Sequence, residues 1–428
     1  MNSPINHYLK TINDVEERIK VLEKNNLKNL VNNHNYRNIP YQNWCNYQEG
    51  FSTKLLDWFL NYKNINAKEL MFLDPFCGSG ASLVSAKLNE FRSIGIDINP
   101  FSYLLSKVKL DFYSEDELKI IEGFNLPKYK EIKNVYEKYE FSMVERIFSK
   151  ENFTKIELIK NSIGKITNIK SQEFLKVALV SSLESCSNYK KGGNGLKKRK
   201  KTCEIDFYEL FTSKKNQMIL DKKKLNKKTA FKLINGNIKD LDVLVENNSI
   251  DISFFSPPYP NCFDYFEIYK IELWIGEFIT SYSQLRNLRK SAFTSNLNAN
   301  LNQNVSIDDS NSRSKILFNT LLLLQEKDLW NKNIPKMLNL YFSEMNEFLN
   351  SLYQKMKFGG TIGIVIGNSS YGGIPILSDL IVSEISEKVG FKVDQIIVAR
   401  NNETASQQYK KINNLIKYVR ESIVVLVK

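Results

Sequence analysis

Residues 70–97 constrain the fold more than any other part of this 428-residue chain. Leu70-Met-Phe-Leu73 is a short apolar run of strand type, and Asp74-Pro-Phe-Cys-Gly-Ser-Gly80 follows as a tight loop. Residues 81–88 then alternate small and apolar side chains as a helix does. Ser93-Ile-Gly-Ile-Asp97 is strand-like again. A strand, a glycine loop, a helix and a second strand in so short a span form a βαβ unit, which implies a parallel sheet.

Later segments extend the pattern. Residues 230–234, 250–255, 361–366, 392–400 and 422–428 read as strands. A helix is expected over 334–357, with Met337, Leu340, Tyr341, Phe348, Leu352 and Met356 on its apolar face and Gly359-Gly360 as its stop. Another is expected near 375–389. Two segments interrupt the series. Residues 111–228 read as mostly helical and become strongly basic in their second half. Residues 277–333 include an Asn- and Ser-rich stretch, 298–315, that reads as loop. The expected organisation is therefore an α/β domain built from 1–110, 229–276 and 334–428, with a helical basic insertion at 111–228 and a second insertion at 277–333. No internal repeat is visible.

Composition narrows the chemistry. With 42% hydrophobic residues the chain can fill a core, and it is too apolar to be disordered. No run approaches the ~18 apolar residues of a membrane helix. The N-terminus lacks a secretory pattern, so a cytoplasmic protein is expected. Sixty Lys and Arg against 47 acids give +13, a surplus that points to a polyanionic partner such as nucleic acid. The five cysteines are scattered and form no Cys-x-x-Cys pair, which argues against a disulfide framework or a zinc site. The only histidines, His7 and His34, precede the expected core. The chemistry must run without a core histidine, and no metal is expected.

Two motifs carry chemistry. Gly78 and Gly80 let the backbone approach a ligand closely, and the loop opens a helix whose free N–H groups face that ligand. Asp97 closes the next strand, where a carboxylate accepts hydrogen bonds from the ribose hydroxyls of a nucleoside. No Gly-Lys-Ser/Thr follows, and the G-x-G-x-x-G spacing is missing, so neither a P-loop nor a dinucleotide site is read. An acid at Asp74 repels phosphate and favours a cation such as a sulfonium. The second motif is Ser256-Pro-Pro-Tyr259, at the end of a strand. Its prolines fix an extended turn, in which the Ser256 hydroxyl and the Pro257 carbonyl can accept from an amino group while Tyr259 offers a stacking face.

Together these motifs resemble those of the S-adenosylmethionine-dependent DNA amino-methyltransferases. The Ser-Pro-Pro-Tyr form resembles the cytosine-N4 branch; the adenine-N6 branch more usually begins with Asp or Asn. Tyr47-Gln-Glu-Gly-Phe-Ser52 resembles an upstream family motif whose aromatic residue packs on the cofactor. Gly236-Asn237 sits where the family commonly has Gly-Asp, so the Asn237 amide oxygen would have to accept the cofactor's adenine amino proton. Phe358-Gly-Gly360 with the following strand, and Arg420-Glu-Ser-Ile, resemble later family segments. The resemblance covers roughly 41–110, 229–275 and 335–428. It implies a Rossmann-like methyltransferase sheet, mostly parallel with an antiparallel last strand. It implies S-adenosyl-L-methionine held by Phe51, Ser52, Asp74, Pro75, Phe76, Cys77, Gly78, Gly80, Asp97 and Asn237. It also implies catalysis by Ser256, Pro257, Pro258 and Tyr259 on a base flipped out of duplex DNA, with Phe263 or Tyr265 as further stacking faces. Cys262 follows Asn261 and not a proline, which argues against the covalent cysteine of cytosine-C5 methyltransferases.

DNA phosphates are expected to meet Lys190, Lys191, Lys197, Lys198, Arg199, Lys200 and Lys201 on a flexible glycine-containing loop, with 222–228 repeating the theme. Arg286 and Arg289 sit in the second insertion, the segment expected to recognise the target sequence. The expected activity is cytosine-N4 methylation of double-stranded DNA beside a cognate restriction endonuclease. The alternatives are adenine-N6 methylation, RNA guanine-N2 methylation, or a non-catalytic nucleic-acid-binding protein on the same fold.

Overall fold

The computed structural model describes residues 4–31, 39–48, 50–66, 69–193, 195–303, 305–401 and 413–428. Of the sequence features above, His34 and Glu49 lie outside the described residues. The strands in chain order are β1 (Val21–Glu23), β2 (Met71–Asp74), β3 (Arg92–Asp97), β4 (Tyr189–Gly192), β5 (Gly195–Lys198), β6 (Phe231–Asn235), β7 (Ile250–Phe255), β8 (Met356–Gly367), β9 (Ser369–Tyr371), β10 (Ile374–Ile376), β11 (Lys392–Asn401) and β12 (Arg420–Val427). Eight of them form one sheet in the order β1-β11-β12-β8-β7-β2-β3-β6. β12 runs antiparallel to both of its neighbours, and every other pairing in this sheet is parallel. This is the Rossmann-like methyltransferase sheet, with its antiparallel last strand.

The strand sequences explain their positions. β7, β8 and β12 lie in the middle of the sheet and are buried over most of their length, because helices cover both faces. One apolar layer includes Leu73, Phe255, Ile364 and Met345. The opposite layer includes Phe59, Phe72, Phe254 and Ile423.

Several boundaries differ from the sequence expectation. The helix Ile334–Lys355 stops before Gly359-Gly360: Met356 turns extended and β8 begins there at once. The two glycines lie inside the strand. The 298–315 stretch is not loop throughout, because Ile307–Arg313 is helical. Ser314 then caps Lys315–Gln325, its hydroxyl accepting from the Leu317 N–H (3.0 Å). Leu317, Leu321 and Leu324 of that helix are buried in the main apolar layer with Tyr8, Ile12 and Val15 of the N-terminal helix Pro4–Arg18.

Residues 111–228 carry four longer helices: Glu115–Glu122, Lys150–Ile163, Ile169–Cys186 and Phe207–Leu225. Ser114, Ser149, Asn168 and Asp206 cap them. Their apolar cluster of Phe153, Phe174 and Phe211 is continuous with Tyr47, Phe101 and Trp274 beside the sheet. The basic stretch expected as a flexible loop is a two-stranded antiparallel hairpin, β4–β5, turning at Gly193 (φ +59°). Among the described residues, no helix is long and apolar enough to cross a membrane.

Candidate active site

β7, β2 and β3 are parallel neighbours, so Phe255, Asp74 and Asp97 end on the same side of the sheet. The loops that follow them open into one cleft, lined by both sequence motifs. This is where a doubly wound sheet offers its loops to a ligand.

The glycine loop is shaped by close contacts. Gly78 has φ +50°, and a Cβ there would stand 3.0 Å from the Tyr47 hydroxyl. Gly80 has φ +77°, and a Cβ there would come within 2.7 Å of Ser106 Oγ. Asp97 locks the loop, its Oδ2 accepting from the Gly78 N–H (2.8 Å) and its Oδ1 from the Asn99 N–H (2.8 Å). Asp74 accepts from the Phe76 N–H (2.9 Å) and from the Ser82 hydroxyl. Burial pushes Asp97 up to about 6 against the pull of its two N–H donors. It pushes Asp74 up to about 7 against its bonds from Ser82 and Phe76. A cationic ligand would reverse this penalty by returning an opposite charge to the cleft.

The expected cofactor residues divide into two groups. Phe51, Asp74, Pro75, Phe76, Cys77, Gly78, Asp97 and Asn237 line the cleft. Ser52 and Gly80 do not: Ser52 caps the helix Thr53–Tyr62, accepting from the Lys54 N–H (3.1 Å), and Gly80 opens the helix Ala81–Leu88. The Asn237 amide is also engaged. Its oxygen accepts from the Lys239 N–H (3.1 Å) and its nitrogen donates to the Ser291 carbonyl (2.8 Å). One lone pair of the amide oxygen is thus already used, and the expected contact with a ligand would have to use the other.

Ser256 and Pro258 line the same cleft, and Pro257 and Tyr259 are not among its lining residues. Ser256 Oγ donates to Tyr259 Oη (3.2 Å), and Tyr259 Oη donates to Glu421 Oε1 (2.6 Å). The next carbonyl, that of Pro260, accepts from Tyr371 Oη (2.9 Å) and Ser369 Oγ (3.1 Å), which ties the turn to β9. Tyr259 is therefore a bracket for the turn and not an aromatic wall of the cleft. Tyr265, Phe266 and Phe293 supply such walls. Phe263 is buried against Tyr265. Cys262 packs on Met337 and accepts from Tyr371 Oη (3.3 Å).

The basic residues also separate. Lys190, Lys197, Lys198, Lys200, Lys201 and Arg286 are exposed. Lys191 is not: it is buried, paired with Glu272, and its ammonium sits 4.5 Å from the Tyr269 ring centre. It holds the hairpin to the protein instead of meeting solvent. Arg199 donates to the Ser187 (2.9 Å) and Glu184 (3.2 Å) carbonyls. Lys222 is buried and donates to the carbonyls of Lys109 (2.9 Å) and Asp111 (2.8 Å). Arg289 lines the cleft and is paired with Asp264 (3.0 Å) and Glu267 (2.7 Å).

A family model described as D12 class N6 adenine-specific DNA methyltransferase matches residues 50–304, a range that includes 111–228 and reaches into the second insertion. The chain belongs to this family. Its similarity to type II methyltransferases extends further along the chain. M.AvaI of Nostoc sp. is 28% identical over 403 residues, covering 86% of this chain and 83% of that protein. M.BsoBI of Geobacillus stearothermophilus is 25% identical over 461 residues, covering 93% and 87%. A solved S-adenosylmethionine-dependent methyltransferase from Archaeoglobus fulgidus aligns over 88% of this chain and 95% of its own at 12% identity and a TM-score of 0.29. Membership of this family makes the chain a DNA methyltransferase, for which S-adenosyl-L-methionine is the methyl donor. The donor set suits that molecule: a carboxylate beside the glycine loop, a second carboxylate, and the aromatic surfaces of Phe51 and Phe76. The cytosine-N4 assignment read from Ser256 finds no support in the family model, whose description names adenine N6.

Proposed function

We propose that this methyltransferase modifies the exocyclic amine of a base flipped from duplex DNA, with adenine N6 as the target, and that it protects DNA from a cognate endonuclease. One observation supports the mechanism: the glycine loop after β2 and the Ser-Pro-Pro-Tyr turn after β7 leave adjacent strands and face one cleft. In the proposed mechanism Asp97 accepts from the ribose hydroxyls, Asp74 offsets the sulfonium charge, and Phe51 and Phe76 cover the apolar parts. When bound, S-adenosylmethionine would supply a sulfonium-activated methyl group for the amine, with the thioether as leaving group.

The chain's own residues prepare the amine. A conjugated exocyclic amine is a poor nucleophile. Ser256 Oγ, which lines the cleft, accepts one of its protons, which favours a pyramidal nitrogen with an available lone pair. The contribution is positioning and electrostatics. Tyr265, Phe266 and Phe293 provide aromatic surface for a base taken out of its stack. The exposed lysines of β4–β5 and residues 200–201 hold phosphates, which fixes orientation without reading sequence.

A second reading, cytosine N4, is favoured by Ser256 at the head of the turn. Digesting modified plasmid DNA to nucleosides and weighing the products by mass spectrometry decides between them. N6-methyladenine is expected; N4-methylcytosine moves the assignment to the second reading. DNA without either product overturns both.

A further inference from the structure

We propose that Glu421 is a positioning residue for methyl transfer and the end of a proton path, Ser256–Tyr259–Glu421, that drains the target amine. The proposal rests on the reading of the Ser256 turn given above.

The direction of the hydrogen bonds carries it. Ser256 donates to Tyr259 (3.2 Å), and Tyr259 donates to Glu421 (2.6 Å), so both hydroxyl hydrogens point away from the cleft. Ser256 Oγ therefore turns lone-pair density toward the cleft that it lines. At the far end Arg400 Nε donates to Glu421 Oε2 (2.5 Å), which leaves Oε1 facing Tyr259. Glu421 sits on β12, whose register against β8 places it opposite Gly367, and only 4% of its surface is exposed. The carboxylate thus reaches the turn from a strand that takes no other part in the cleft. Burial and the Glu421 carboxylate hold the Tyr259 hydroxyl well above its ordinary range, so Tyr259 passes a proton on and does not ionise.

The step balances. An amine nitrogen that has gained a methyl carries one proton too many. That proton moves to Ser256 Oγ as the serine hydrogen moves to Tyr259 Oη and the tyrosine hydrogen moves to Glu421 Oε1. Both hydroxyls are restored, the amine is neutral, and the carboxylate becomes a carboxylic acid that later returns its proton to water. The path serves an adenine or a cytosine amine equally.

Glu421→Gln tests it, because the amide still offers Tyr259 an oxygen but cannot take up the proton. The turnover number is expected to fall roughly a hundredfold, the scale of a lost proton acceptor. KM for DNA and the calorimetric affinity for S-adenosylmethionine should stay at their wild-type values. In a Tyr259→Phe background the Glu421 substitution should have no further effect, since the two act in series. Unchanged turnover in Glu421→Gln, or a KM or cofactor affinity that moves as far as turnover, would overturn the proposal. If Glu421→Gln does not fold, Arg400→Gln/Glu421→Gln removes both charges together and is judged by the same measurements. A wild-type protein that methylates DNA while Ser256→Ala is equally active removes the reading of the turn itself, an outcome distinct from failure of the relay.

Discussion

Asp97 is asked for two things by one carboxylate. It accepts two backbone N–H groups that shape the glycine loop, and it faces the cleft, where the proposed mechanism makes it the ribose acceptor. Asp97→Ala is expected to weaken S-adenosylmethionine binding by about 1–3 kcal/mol, the cost of unpaired polar partners; unchanged affinity by calorimetry removes it from the site. Its titration has a defined sign. Burial lifts it from 3.8 to about 6, so its contribution to folding is complete below the lower value and is lost as pH rises through the higher one. Ligand affinity should run the other way, rising through about 6 as the acceptor ionises. Asp97→Asn should flatten that rise, and a binding curve equally steep in the variant assigns the titration elsewhere. The sequence singled out this residue because the end of a second strand is a position that follows from local pattern. It did not identify Glu421, which reaches the turn only because β12 closes the sheet beside β8.

At the scale of elements, the β4–β5 hairpin separates two kinds of lysine that look alike in a run of basic residues. Lys191 points inward to Glu272, whereas Lys190, Lys197 and Lys198 point outward. Strand alternation explains the difference between Lys190 and Lys191, and reading the segment as a flexible loop concealed it. Lys191→Met should cost about 3–5 kcal/mol of stability by leaving the Glu272 carboxylate buried without its partner. Denaturant unfolding checks this, and a stability equal to wild type would show the pair to be dispensable. Replacing Lys190, Lys197, Lys198, Lys200 and Lys201 with Gln should leave the unfolding midpoint alone and flatten the salt dependence of DNA affinity. Each lost phosphate contact reduces the logarithmic slope by about 0.9; an unaltered slope would return these lysines to solvent.

For the molecule as a whole, the parallel sheet and the shared cleft were legible in the sequence, because βαβ spacing and the two turns are local signals. The N-terminal end of the chain was not. The helix Pro4–Arg18 and strand β1 join the C-terminal half through contacts that no local period announces. Tyr8, Ile12, Val15 and Ile19 are all at most 3% exposed. At about 1.5–3 kcal/mol for each large buried side chain, their loss rivals the stability of an entire domain. A protein lacking residues 4–23 is therefore expected to aggregate, and a monomeric scattering profile with intact cofactor binding would refute that.

The pairing of Val21–Glu23 with residues 396–398 also sets a clock. At about 5–20 residues per second on the ribosome, a nascent chain spends about 20–75 seconds between making the first of these strands and making its mate. Throughout that wait the early segment has no native edge to join, which makes it a natural client for holding factors during translation.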